Sequence, residues 1–423
     1  MADGTRGNPA CSPTAEGFWA VTQAIEREFG EVAGAIYRIG DETQRGALDA
    51  ALGVLTLSVD DLLARTAIWF DQMRESATIV ADDTTLSLPL QQVRNNFDVY
   101  TLVRDARERL GLERSHDVDF GAAVRAAYDM GPFADLFAIE GLGHDCAARL
   151  YREGVREGIL TDRRAAVLPA STLTMMHAGL GLALAEVMLP RLTPCSPDAR
   201  ARDVAGAFIE ACGANARPGY AGAAYEALGL VARMRYPRVM AVVDRALMAT
   251  NEEVARYFWH GVGRGLYFHP AYIVPGLLSP WIGVELDAPH ELARLNMHAG
   301  LAWAWTQVNI RHPEIVAQLL RVRGDRLRSS DAFSNGVASA IVVRLDVTGR
   351  QGYVAAFAEY SPHRGGASAA DQWDELVRPA VRAAMDRYHP VLKARNRLDC
   401  VFRYERLDDL TERLAREPAR TGA

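Results

Sequence analysis

The chain is almost without lysine: of 47 basic side chains, only Lys393 is not arginine. A phosphate-binding loop ending in GK[ST] is therefore excluded, and any Schiff-base or lysine-base chemistry would rest on that one amine. The bias toward Arg, Ala and Gly suggests GC-rich coding of the kind actinobacteria show. Five cysteines (Cys11, Cys146, Cys195, Cys212, Cys400) are scattered with no CxxC pair. They read as reduced thiols in a cytoplasmic protein rather than a disulfide frame or a zinc site. HExxH is absent, which leaves no metal expected, and so is GxSxG, which argues against an α/β-hydrolase. Net charge is −6, so nucleic acid is not an expected partner. Met1 to Glu16 lacks the apolar core of a signal peptide. The most apolar run, Leu173 to Pro190, carries His177 and Glu186 and reads as a buried helix, not a stable membrane span.

What is present is periodic. Met176-His177-Ala178-Gly179-Leu180 returns as Met297-His298-Ala299-Gly300-Leu301. Looser relatives are Glu140-Gly141-Leu142-Gly143, Trp259-His260-Gly261-Val262-Gly263 and Ser334-Asn335-Gly336-Val337, with Tyr220-Ala221-Gly222 the weakest. Their first glycines step by 38, 43, 39, 39 and 36 residues. A period of roughly 40 residues marks a repeat architecture. Apolar spacing within the units is helical, so the expected fold is all-α: about six α/α hairpins that either close into a ring or stay an open solenoid. Glycine inside a helix costs about 1 kcal/mol relative to alanine, so glycines at one place in every unit imply close helix approach.

Around this body the expected divisions are a disordered 1–14, an N-terminal helical section over 15–125, the glycine-bearing body over 126–350 and a C-terminal section over 351–423. Gln91 to Leu110 and Trp373 to Tyr388 read as helices, and Asp399 to Tyr404 as one short strand.

The residue beside the motif glycine is polar in most units: Glu140, His177, His260, His298 and Asn335. Glu140 and the three histidines are candidate acid/base residues if the units place them around a common space. The alternative is that each only bonds a neighbouring helix and sets register. Arg264, one turn after His260, is a candidate anion-binding residue, and an ordinary ion pair is the alternative. Asn335, Tyr220, Trp259, Tyr267 and Trp303 are candidate substrate-lining residues, or simply core. The acidic pairs Asp60-Asp61, Asp82-Asp83 and Asp408-Asp409 lack the full DDxxD spacing of prenyl-diphosphate enzymes.

The succession Ile139-Glu140-Gly141-Leu142-Gly143, then Met176-His177-Ala178-Gly179-Leu180-Gly181-Leu182-Ala183-Leu184-Ala185, then Trp259-His260-Gly261-Val262-Gly263-Arg264-Gly265-Leu266-Tyr267-Phe268 resembles a bacterial family of unknown function that accompanies enediyne and polyketide gene clusters. The resemblance covers roughly residues 130–345. The chain departs from it at His260, where the family has Gln, and after residue 350. The resemblance implies specialised-metabolite biosynthesis and carries no reaction and no catalytic assignment. The expectation is a protein that holds an apolar polyene or polycyclic small molecule, without a cofactor, and cyclises or isomerises it. A non-catalytic pathway scaffold and a magnesium-dependent terpene-type cyclase are the alternatives, and a homodimer is left open.

Overall fold

A computed structural model describes residues 87–112, 119–269, 280–349, 352–362 and 366–417. Among these the protein is all-α, with no strand. The expectations for 1–86, among them those for Asp60-Asp61 and Asp82-Asp83, lie outside the described residues.

The helices, in chain order, are α1 (Ser87–Arg104), α2 (Ala106–Arg109), α3 (Phe120–Asp129), α4 (Ala134–Arg152), α5 (Ala170–Met188), α6 (Asp198–Asn215), α7 (Ala221–Arg235), α8 (Met240–Thr250) and α9 (Glu252–Phe268). They continue with α10 (Pro280–Asp287), α11 (Glu291–Asn309), α12 (Pro313–Leu327), α13 (Ala332–Thr348), α14 (Gly352–Glu359), α15 (Gly366–Leu376), α16 (Arg378–Ala383), α17 (His389–Ala394) and α18 (Leu407–Arg416). Several start where local chemistry says they should. Asn251 caps α9 by accepting the Val254 N–H at 3.1 Å, with Glu252 and Glu253 in the positive first turn. His290 caps α11 through Nδ1, and Pro313 opens α12.

Six of these, α4, α5, α7, α9, α11 and α13, carry the sequence glycines, and each packs on the next in that order. Glycine is required at the seams. A Cβ on Gly179 would strike the carbonyl oxygen of Glu140, one on Gly261 that of Glu226, and one on Gly300 that of His260. Helices α7 and α9 run parallel, since their contacts advance together from Gly222 against Tyr257, through Glu226 against Gly261, to Arg233 against Gly265. The last helix of the series, α13, also touches α4 and α5. Arg344 of α13, fully buried, donates to the Phe133 carbonyl just before α4, at 3.2 Å, and Thr174 of α5 donates to Asp346 at 3.1 Å.

Three local expectations need correction. Asp399 to Tyr404 is not a strand. Leu398–Phe402 is a short 3-10 turn laid across helix ends, where no strand edge is present to pair with. The span Trp373 to Tyr388 is not one helix. It breaks before Pro379, which cannot donate a helical hydrogen bond, and resumes as α16 and a π turn over Ala384–Tyr388. Of the described cysteines, Cys146, Cys212 and Cys400 are free and buried, but Cys195 is disulfide-bonded. Helix α5 with the turn after it is the one described segment long and apolar enough to cross a membrane, and 83% of its most apolar stretch is buried inside the protein.

The glycines can be tested in pairs. Gly206, in the middle of α6, has open space where a Cβ would go. Helix propensity favours alanine at both positions, by about 1 kcal/mol. Gly206→Ala should raise stability by about 0.5–1 kcal/mol in urea denaturation. Gly261→Ala should lower it by about 1–3 kcal/mol through overpacking. Equal stabilisation by both would mean that the α7–α9 seam does not need glycine.

Candidate functional site

One turn along α9 separates His260 from Arg264, so both face the same side. That side meets α4, α7 and α11. Arg264 Nη2 donates to Glu140 Oε1 at 2.6 Å, and Nη1 donates to Glu226 Oε2 at 3.0 Å. His260 Nδ1 lies 3.0 Å from Glu226 Oε1, so a carboxylate acceptor places the ring proton on Nδ1. The Arg264 guanidinium sits 4.6 Å from the centre of the Trp303 ring. Phe402, from the 3-10 turn, reaches in beside both, with ring centroids 6.5 Å from His260 and 5.9 Å from Trp303. None of Glu140, Glu226, His260, Arg264 or Trp303 is more than 3% exposed.

Two carboxylates on one guanidinium leave an excess of negative charge in a dry interior, and the two acids respond oppositely. Burial pushes the Glu140 carboxyl up, against the pull of Arg264. Burial opposes ionisation at Glu226 as well, but Arg264 and His260 outweigh it and hold that carboxyl below its ordinary value. Burial works against the charge on Arg264, but the two glutamates beside it outweigh that and hold its pKa above the ordinary value. Four buried polar atoms here have no hydrogen-bond partner: Glu140 Oε2, His260 Nε2, Arg264 Nε and Trp303 Nε1. Such atoms cost free energy in a folded core and mark places where a polar guest would be welcome.

The other expected residues are not brought to this centre. His177 uses both nitrogens: Nδ1 donates to the Leu173 carbonyl at 2.6 Å, and Nε2 accepts the Arg217 N–H at 2.9 Å. It stacks on Tyr220, with ring centroids 5.2 Å apart, and pins the loop that leads into α7. His298 faces Glu285 of α10, with Nε2 3.1 Å from Oε1, and Trp281. Asn335 donates to the Glu405 carbonyl. Trp259 donates to Asp244 at 2.7 Å, and the Tyr267 hydroxyl accepts from Asn309 at 2.8 Å.

Rotation about the helix axis explains the two histidines, whereas Asn335 directly precedes its seam glycine and is held instead by the Glu405 carbonyl. Glu140 and His260 directly precede the glycine that meets the neighbouring backbone. In α5 and α11 an alanine intervenes, Ala178 or Ala299, and each added residue turns a side chain by about 100°. His177 and His298 are thereby aimed elsewhere.

Glu226 was not expected. The spacing placed the motif of α7 at Gly222, but Gly222 faces the Tyr257 ring, and the backbone of α9 comes closest at Gly229. The α7 motif is Glu226-Ala227-Leu228-Gly229, the counterpart of Glu140-Gly141-Leu142-Gly143 with alanine in the first glycine's place. Allowing Ala for Gly would have found it.

Among the described residues no group of three or more His, Cys, Asp and Glu side chains converges as metal ligands do. Asp408 and Asp409 begin α18 and pair with Arg387 and Arg406. A cavity of about 1050 Å³ opens between the starts of α7 and α9 and residues 394–399. No known protein family, curated protein or solved structure matches the chain.

The His177 geometry makes a pH prediction. Burial holds this imidazole down at about 4, against 6.5 for the free side chain. The unfolded chain therefore binds the extra proton between those values. The stability drawn from neutral His177 is fully present above pH 6.5 and is lost as pH falls toward 4. The stability difference between wild type and His177→Phe should shrink by about 2–3 kcal/mol from pH 7.5 to pH 4.5 in urea denaturation. A difference that does not change with pH would contradict the neutral, doubly bonded histidine.

Proposed function

We propose that the protein is a biosynthetic enzyme of specialised metabolism, of the enediyne or polyketide kind. It moves a proton on an apolar polyene or polycyclic molecule and so isomerises or cyclises it. The supporting observation is the Glu140–Arg264–Glu226–His260 cluster, where Arg264 links Glu140 to the Glu226–His260 pair and where Glu140 Oε2 and His260 Nε2 are each without a partner. Glu226 accepts the Nδ1–H of His260 and fixes the ring, leaving the Nε2 lone pair to take a proton from a substrate carbon or hydroxyl. Glu140, its carboxyl pushed up by burial, is the group that keeps a proton to give. Arg264 holds both carboxylates in register, and Trp303 and Phe402 supply an apolar wall.

In this reading the six glycine-bearing helices close on themselves. The contacts of Arg344 and Asp346 between the last helix and the first two support that closure. The protein acts in the cytoplasm, without a cofactor, on an apolar small molecule.

One observation favours a second reading, a non-catalytic binding protein of the same pathway. The open cavity beside α7 and α9 lies outside the cluster. Among the described residues nothing favours a diphosphate-dependent cyclase, since Asp408 and Asp409 are taken up by arginines.

The two readings part in a gene-replacement experiment in the strain that carries the gene. His260→Gln and Glu140→Gln should each cut formation of the pathway product by roughly 10²–10⁴-fold, the weight of one general acid or base. Both proteins should remain folded, His260→Gln with a melting temperature near wild type and Glu140→Gln with a lower one, because it breaks the buried contact with Arg264. Unchanged product from folded His260→Gln protein would reject the enzyme and leave the binding protein.

A further inference from the structure

The chain from Asn396 to Glu405 runs over the N-terminal portions of four core helices and is fastened to each. Asn396 donates to the Pro218 carbonyl just before α7 at 2.6 Å, and Asp399 accepts the Gly222 N–H of α7 at 3.3 Å. Arg403 donates to the Tyr257 hydroxyl of α9 at 3.3 Å. The Tyr404 N–H donates to Asn296 of α11 at 2.7 Å, and Asn335 of α13 holds the Glu405 carbonyl.

Below this strap lies the acid/base cluster, which Phe402 touches through His260 and Trp303. Beside it lies the cavity of about 1050 Å³, which Asp399 and Arg397 line. The cavity and the cluster are close. Gly222 and Tyr257 line the cavity, and Glu226 and His260 follow them on the same helices by four and three residues. That is about one turn, or roughly 5 Å of rise.

We infer that this cavity is the entrance and outer binding site for the molecule on which the cluster acts, and that Phe402 is the gate between them. The inference rests on the proposed acid/base reading. Tyr225, Tyr257, Val254 and Leu414 give the cavity apolar walls, with the two tyrosines edge to face at 6.0 Å. Its charges nearly cancel: Glu253, Asp399 and Glu417 against Arg395 and Arg397. A neutral, mainly apolar ligand fits that lining better than an anion or a cation. The buried Asp399 Oδ1, which accepts no hydrogen bond, offers one point of attachment for a ligand hydroxyl. Entry requires only that the Leu398–Phe402 turn lift, because Phe402 is the side chain that the strap inserts beside the cluster.

Diethyl pyrocarbonate, a small neutral reagent that acylates an unprotonated imidazole nitrogen, reports whether His260 Nε2 can be reached. Peptide mass spectrometry gives labelling rates for His260 and, as an internal control, His177, whose nitrogens are both engaged. In Phe402→Ala the His260 rate should rise about tenfold over wild type, the scale of a changed local-opening equilibrium, with His177 unchanged. Adding Ala394→Trp, at an exposed position on the cavity wall, should return the rate toward wild type. Phe402→Leu, which keeps an apolar contact, serves if the alanine protein does not fold, and a smaller rise is expected. An unchanged His260 rate in a folded Phe402 variant overturns the gate. A rise that Ala394→Trp does not suppress overturns the cavity as the entrance. Neither result touches the roles of Glu140 and His260, which are read from product formation. Conversely, failure of that test with the labelling pattern intact would leave a gated binding chamber without proton transfer.

Discussion

Arg264 is the side chain on which the centre of the protein depends. Its guanidinium reaches from α9 to Glu140 on α4 and Glu226 on α7, and lies on the Trp303 ring of α11. Removing charges from water costs several kcal/mol per ion, and mutual attraction repays it only when the geometry satisfies most of the hydrogen bonds. Here it does so in part. Each Glu226 oxygen has a partner, while Glu140, His260 and Arg264 each keep one polar atom unmatched. An apolar core of equal volume would be no less stable. A cluster kept in this half-satisfied state is therefore better explained by what it does than by what it stabilises, and that reasoning underlies the proposed proton-transfer role.

The glycines make the cluster geometrically attainable. A polar side chain of ordinary length reaches the centre only if the backbones are close, and the seams at Gly179, Gly261 and Gly300 bring carbonyl oxygens to where a Cβ would stand. The same residues that cost helix propensity thus set the positions of Glu140 and His260, each directly before its seam glycine, and of Glu226, three residues before Gly229. The protein's local strain and its candidate chemistry share one origin.

Much of this was legible from sequence, because it is local. The all-α character followed from apolar spacing. Glu140, His260 and Arg264 stood out as polar residues beside the glycines. What was not legible is relational. Ala227 hid the α7 motif and with it Glu226. A single intervening alanine turned His177 and His298 away from the centre, where they anchor a loop and an outer helix instead. The strap from Asn396 to Glu405 has no periodicity of its own. Its conformation comes from bonds to helix ends that are up to 178 residues away in sequence, so a weak alternation there was read as a strand.

Arg264 and Glu140 should behave as one coupled unit across the core. A double-mutant cycle with Glu140→Gln, Arg264→Met and the double variant, measured by urea denaturation at pH 7, tests it most directly. The account expects a coupling of about 2–5 kcal/mol, with the double variant far less destabilised than the sum of the singles. Additivity within about 0.5 kcal/mol would contradict it.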